Sequence, residues 1–133
     1  MSFVADVTVI FDTDVLVWAE RGNENAIECV GDAAKRALSV MTYMELLQGA
    51  RGPKESDKIK TFISEGNFTV FPLTENIGHR ASIYIEEYAS YAGLRVGDAI
   101  IAATAIENNL VLATGNKKHF DPIKDLQLYH FNP

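Results

Sequence analysis

The sequence predicts an α/β fold, a three-layer sandwich around a central, mostly parallel five-stranded sheet. Three observations predict it. The first strand is an apolar run, Val7 to Phe11 broken only by Thr8, which suits a strand buried on both faces. Short strand patterns then alternate with helical ones, the mark of βαβ crossovers and a parallel sheet covered on both sides. Finally, the first run stops at Asp12 and Asp14, where strand gives way to helix. Open α/β sheets place their sites at such strand ends.

The elements follow in order. A helical pattern (Val15, Leu16, Trp18, Ala19) runs to Glu20 and is punctuated by Arg21-Gly22-Asn23. Glu24 to Val30 reads as a second short helix, stopped by Gly31 or Asp32. Arg36 to Val40 is a short strand, and Thr42 to Gln48 a helix ended by the breaker cluster from Gly49 to Pro53. Lys54 to Glu65 is amphipathic, with Ile59, Phe62 and Ile63 on one face. Phe68 to Phe71 is a strand ended by Pro72. Thr74 caps a long helix to about Tyr91, with Ile77, Ala81, Tyr84, Ile85 and Tyr88 at helical spacing. A single stripe of this kind is packing surface rather than a platform for stacking bases. Residues 92–97 break the chain, and Ala99 to Ile106 is a helix apolar on nearly every face, hence buried. Leu110 to Ala113 is a strand, Thr114-Gly115-Asn116 a turn, and Leu126 to Tyr129 an edge strand. No linker, repeat or low-complexity segment interrupts residues 1–133, so a single domain is expected.

Composition narrows the class. Hydrophobic residues make up 47% of the chain and charged residues 23%, the balance of a globular protein with a full core. Cys29 is the only cysteine, which excludes an internal disulfide framework and a zinc cluster and fits a reducing compartment. No apolar run approaches the roughly 18 residues of a membrane span, and no basic leader is present, so the expected location is the cytoplasm. The net charge of −6, from 18 acids and 12 bases, argues mildly against a nucleic-acid binder. Acids gathered to hold a cation would add to that sum themselves.

Polar groups return to one expected edge of the sheet from four places. Asp12 and Asp14 follow the first strand, and Glu45 lies in the first turn of the helix after the second. Asp98 opens the buried helix, and Thr114, Asn116 and His119 follow the fourth strand. Each has an ordinary structural role open to it. Asp12, Thr13 or Asp14 suits a helix N-cap. Thr42-Tyr43-Met44-Glu45 matches a capping box, the better account of Glu45 taken alone. Asp98 complements a helix dipole, and Asn116 suits a turn with left-handed backbone. None of these roles accounts for successive crossovers bringing carboxylates back to the same edge. Three carboxylates meeting there repel, and their pKa values rise unless a cation holds them. Hard oxygen donors without a cysteine pair or His-rich spacing point to Mg2+ or Mn2+ rather than zinc. Water bound to such an ion can act as the nucleophile in phosphodiester hydrolysis.

These blocks resemble the PIN-domain family, and within it the VapC-like toxins of bacterial and archaeal toxin–antitoxin pairs. Asp12-Thr13-Asp14-Val15-Leu16 resembles the family's opening Asp-Thr-Asn-Val-Leu. Thr42-x-x-Glu45-Leu46-x-x-Gly49-Ala50 resembles its second block, and the run from Gly97-Asp98-Ala99 to Ala105 its third. Leu112-x-Thr114-Gly115-Asn116-x-x-His119-Phe120 resembles its fourth, so the blocks stand in order over nearly the whole chain. The resemblance implies a Mg2+-dependent endoribonuclease, usually dimeric, whose growth-arresting activity is blocked by a small cognate antitoxin. It implies that Asp12, Glu45 and Asp98 are the metal-binding catalytic acids and that Asn116 helps complete the site. Asp14 stands where many members have asparagine, and His119 where many carry a fourth acid. A neutral imidazole is a poor ligand for Mg2+, so one metal is expected, any second metal should bind weakly, and Mn2+ should support activity better than Mg2+. Either His119 faces the acids, or it is a structural residue of the turn before Phe120.

Two other classes compete. Asp12-x-Asp14-Val15 after an apolar strand also resembles the first motif of haloacid-dehalogenase-like phosphatases, with Asp12 as nucleophile. Gly97-Asp98 echoes their late acidic motif, but Ala102 occupies the place of that motif's second acid. The non-enzymatic rival is a PIN-like interaction module with a decayed site, which His119 and the acidic charge favour and the retention of three acids opposes. If the substrate is RNA, then Arg51, Arg95, Lys117 and Lys118 are candidate phosphate contacts. Val15, Leu16, Trp18, Ala26, Ile27 and Val30 are expected to offer an apolar patch to an antitoxin helix. Ala81, Tyr84, Ile85 and Tyr88, with the buried helix, are expected to form a twofold homodimer.

Overall fold

The computed structural model describes residues 7–133; residues 1–6 of the expected single domain lie outside the described part. Five strands form one sheet: β1 (Thr8–Phe11), β2 (Lys35–Ser39), β3 (Phe68–Phe71), β4 (Val111–Thr114) and β5 (Leu128–His130). Their order is β3-β2-β1-β4-β5, and every neighbouring pair is parallel. Seven helices accompany them: α1 (Thr13–Glu20), α2 (Glu24–Asp32), α3 (Val40–Gly49), α4 (Pro53–Glu65), α5 (Glu75–Ala92), α6 (Val96–Glu107) and the single turn α7 (Lys117–Phe120).

β1 takes the centre because it is apolar on both faces. Val9, Ile10 and Phe11 are fully buried, and their side chains alternate between two separate cores. Val9 and Phe11 join Leu38 of β2 and Ala113 of β4 beneath α1 to α4, which contribute Val15, Leu16, Val30, Leu46, Ile59 and Ile63. Ile10 joins Ala37 and Leu112 beneath α5 and α6, which contribute Ile77, Ala81, Tyr84 and Ile101. Helices, sheet and helices make the expected three layers. β1 runs through α1 and α2 to β2 on one side, while β4 on its other side is reached through α5 and α6. The connections part between β1 and β4, so their carboxyl ends flank a crevice.

Several boundaries move, each for a local reason. α1 begins at Thr13, not Val15, because Asp12 is its N-cap. α2 runs through Gly31 to Asp32, so the glycine does not stop it. Ser39 ends β2 and caps α3, its hydroxyl accepting the Met41 N–H at 3.0 Å. That shifts the helix start back to Val40, so Thr42 is not a cap and Glu45 lies in the second turn. The capping box expected at Thr42 and Glu45 does not form. α6 starts at Val96, so the break after α5 is confined to Gly93–Arg95, with Gly93 at φ 74°. Asn116, at φ −104°, is the N-cap position of α7 and does not use the left-handed backbone that asparagine tolerates.

Burial also redraws the two expected surfaces. Val15, Leu16, Ala26 and Val30 belong to the core, and of the six residues offered to an antitoxin only Trp18 (39% exposed) and Ile27 (52%) reach solvent. Ala81 and Tyr84 are likewise core residues of their own chain. The apolar surface left on that side includes a groove between α5 and α6 walled by Leu73, Ala81, Ile85, Val96 and Ile100, together with the exposed Ile83 and Tyr91 of α5. Among the described residues, no helix is long and apolar enough to cross a membrane.

Candidate active site

A cleft of about 380 Å³ opens at the carboxyl ends of β1 and β4, lined by Asp12, Asp14, Glu45, Asp98 and Asn116 together with Thr13, Val17, Trp18, Arg21, Gly97 and Ile101. The three acids expected to carry chemistry therefore share one wall system with Asp14 and Asn116. They arrive from β1, α3 and α6, separated by long stretches of sequence.

Asp12 forms the floor. It is 4% exposed, and both carboxylate oxygens are held: Oδ1 accepts the Thr13 N–H at 2.8 Å, and Oδ2 accepts the Thr114 hydroxyl at 2.7 Å. Thr114 is itself fully buried, and its oxygen accepts the Asn116 N–H at 2.9 Å. The hydroxyl thus ties the end of β4 to the end of β1. Burial, with the Asp14 charge adding to it, pushes the Asp12 carboxyl up to about 7 against the hydrogen bonds from Thr114 and Thr13.

Asp14 lies beside it, also raised, chiefly by burial. Its Oδ2 accepts the Gly115 N–H at 3.0 Å, while its buried Oδ1 has no hydrogen-bond partner. Glycine is required at 115 by space: a Cβ there would stand 2.5 Å from Asp14 Oδ2.

The rim is held differently. Thr13 Oγ1 lies 2.7 Å from Glu45 Oε1 and 3.0 Å from the Thr42 hydroxyl. Thr13 has one hydroxyl proton and the carboxylate is an acceptor only, so the proton goes to Glu45. Gly97 lets α6 approach, since a Cβ there would meet Met41 Cε at 3.3 Å and Glu45 Oε2 at 3.5 Å. Asp98 occupies the third position of α6, and its Oδ2 accepts the Arg95 N–H at 3.1 Å. The dipole role expected of Asp98 is real, and it coexists with a place on the cleft wall. His119 is not on that wall; its Nδ1 lies 3.2 Å from the same Asp98 Oδ2. It contacts Asp98 from outside the cleft.

The candidate phosphate contacts are scattered. Arg51 is in an adjoining cleft and pairs with Glu55 at 3.7 Å. Lys117 pairs with Asp121 at 2.9 Å. Arg95 and Lys118 are exposed and make no ion pair among the described residues. Arg21, which the sequence presents only as punctuation, lines both clefts and is likewise in no ion pair among the described residues. Thr13 is a second residue that sequence reasoning overlooks, although a hydroxyl between two carboxylates at a strand end is a usable signal.

The carboxylates of the lining residues offer oxygen donors, and Asp14 Oδ1 is buried without a hydrogen-bond partner. Raised carboxyls and an unpaired buried oxygen are what a carboxylate cluster shows when its countercharge is not supplied by the chain. Among the described residues no three acidic, histidine or cysteine side chains form a ready-made ion cage. The phosphatase alternative loses its footing, because Asp98 is reached from a helix and a short connector, with no strand before it.

The chain is similar to known proteins in sequence and in fold. Residues 9–125 match the PIN domain family. The chain is 34% identical over 123 residues to Ribonuclease VapC10 of Mycobacterium tuberculosis, covering 90% of each, and 32% identical to Ribonuclease VapC19 of the same organism, covering 89% of this chain and 96% of that one. Among solved structures, a toxin–antitoxin complex from Klebsiella pneumoniae superposes with a TM-score of 0.78 at 28% identity, covering 92% of this chain and 99% of that one. VapBC-1 from nontypeable Haemophilus influenzae shares the fold, with a TM-score of 0.77 at 23% identity over 93% of this chain and 98% of that one. With that family match and these two ribonuclease relatives, the chain belongs to the PIN-domain family, in its VapC-like branch.

Proposed function

We propose that the protein is a Mg2+- or Mn2+-dependent endoribonuclease acting as the toxin of a toxin–antitoxin pair. The observation that carries this reading is the convergence of Asp12, Asp14, Glu45 and Asp98 on one cleft, with the Asp14 Oδ1 oxygen buried and unpaired. Asp12 and Asp98 would hold one metal ion, with Glu45 ligating directly or through water. An ion so held lowers the pKa of a bound water and neutralises charge on the phosphate under attack. The chain's own part is to aim the acids. Thr13 N–H and Thr114 fix Asp12, and the Thr13 hydroxyl fixes Glu45. Arg21, Arg95 and Lys118 are free to meet RNA phosphates, whereas Arg51 and Lys117 are engaged by neighbouring acids.

The names of the sequence relatives support RNA as substrate, and the solved complexes support an antitoxin partner. Trp18 and Ile27 are the exposed apolar residues available to that partner on α1 and α2. A homodimer through the α5–α6 groove is part of the same proposal. Sedimentation at micromolar concentration should then show a species near twice the 14.7 kDa chain mass. The cytoplasm is its proposed location.

Asp98→Asn should reduce RNA cleavage by more than about 100-fold, beyond the usual cost of losing an outer partner of a metal site. Its thermal midpoint should be unchanged. Wild-type cleavage should stop in EDTA and return with Mg2+ or Mn2+. Cleavage that survives EDTA, or a fully active variant, would overturn the reading. Wild-type protein that neither binds Mn2+ nor cuts RNA is instead the interaction module.

A further inference from the structure

We infer that His119 is a positioning residue: it holds one oxygen of Asp98 so that the other is presented to the cleft. The inference rests on the reading of Asp98 as a metal-holding acid. His119 Nδ1 and the Arg95 N–H both contact Asp98 Oδ2, at 3.2 Å and 3.1 Å. No protein donor engages Oδ1 among the described residues, and Asp98 lines the cleft. Two donors on a single oxygen fix the plane of the carboxylate, which the Arg95 N–H alone would leave free to rotate.

The histidine is braced for this task. It belongs to α7, a single turn pinned by Phe120, which is fully buried in the core beneath α5 and α6. The far edge of the ring lies over Gly93 at the end of α5, where a Cβ would be 3.9 Å from Nε2. The ring is thus set between the end of one helix and the start of the next. A carboxylate only accepts, so Nδ1 carries the proton. A ring with the proton on Nδ1 meets that need. Asn116, not His119, takes the place on the cleft wall. The residue that replaces an acid in the sequence pattern therefore acts from behind Asp98 and not as a ligand.

Outer contacts of this kind orient metal ligands, and their loss typically costs 10–100-fold in affinity. The test is calorimetric titration of RNA-free protein with Mn2+. The wild type is compared with His119→Ala, His119→Asn, His119→Gln and Asp98→Asn. An asparagine amide falls near the ring Nδ1 and a glutamine amide near Nε2. Ala and Gln should weaken Mn2+ binding roughly tenfold or more, while Asn should recover most of the affinity. Wild-type affinity in His119→Ala, or equal affinity in the Asn and Gln variants, overturns the inference. The Asn–Gln contrast stands even if the Ala variant melts. A nitrogen NMR spectrum placing the neutral-ring proton on Nε2 overturns it too. Undiminished binding in Asp98→Asn condemns the metal reading beneath it. Loss there, with His119→Ala unchanged, condemns the role of His119 alone.

Discussion

The floor of the cleft and its rim hold their carboxylates by different means. On the floor, Asp12 is 4% exposed with both oxygens bonded, and burial drives its pKa to about 7. On the rim, Glu45 and Asp98 are half-buried, and each is held through a single oxygen, by Thr13 or by Arg95 and His119. Buried charge works against the fold, whereas rim charge stays close to water. The floor should therefore couple chemistry to stability, and the rim should carry chemistry at little cost to the fold.

The largest expected effect breaks that coupling at Asp12. The folded protein keeps the Asp12 proton up to about pH 7, while an unperturbed aspartate releases it near 3.8. Across that window the folded state binds more protons, so metal-free stability falls as pH rises and is lowest above pH 7. The total is on the order of a few kcal/mol. Asp12→Asn should flatten this slope and raise stability at pH 8, while abolishing cleavage. Urea midpoints at pH 5, 6, 7 and 8 with EDTA check it. A wild-type profile that rises toward pH 8 would show that Asp12 is not the buried charge described.

Thr114→Val sharpens the comparison from the other side. It keeps the side-chain shape but leaves Asp12 Oδ2 and the Asn116 N–H without their partner. The cost should be about 1–3 kcal/mol, and the Asp12 pKa should climb further because a bond that lowers it is gone. The same urea series reads both changes.

Glu45→Gln should move stability least, within about 0.5 kcal/mol, since an amide oxygen still accepts the Thr13 proton. Cleavage should nevertheless fall. A stability loss of the size expected for Thr114→Val would place Glu45 with the floor.

Legibility in the sequence divides along the same line. The central strand is legible from its apolar run, whereas Asp12, which also suits the helix N-cap it forms, is legible as a site residue only once the later acids are counted with it. The order of the strands and the longer helices is legible from periodicity and breakers, but the single turn α7 is not. Glu45 is harder: the Thr42–Glu45 spacing matches a cap, and only the hydroxyl of Ser39, which caps the helix three residues earlier, frees Thr42 for burial and Glu45 for the cleft. Asp98 serves the helix dipole and the cleft at once, which no spacing rule separates. Gly115 is invisible as a site residue because its role is a contact across 101 positions of chain, and the partner of Thr13, 32 positions away, is hidden in the same way even though its place between two carboxylates is a signal. The antitoxin patch shrinks to Trp18 and Ile27 because a helical stripe does not reveal how much of itself the sheet will cover.

The bond between Asp12 and Thr114 spans 102 positions. At roughly 5–20 residues per second of synthesis, the two ends of that bond are made about 5–20 s apart. In the interval β1 has β2 to pair with on one side and nothing on the other, because β4 has not been made. Asp14 likewise lacks the Gly115 amide. Parallel pairing at such separation is also slow to form. The arrangement of strands imposes a delay between translation of the acids and their assembly, timed by the ribosome and independent of any partner.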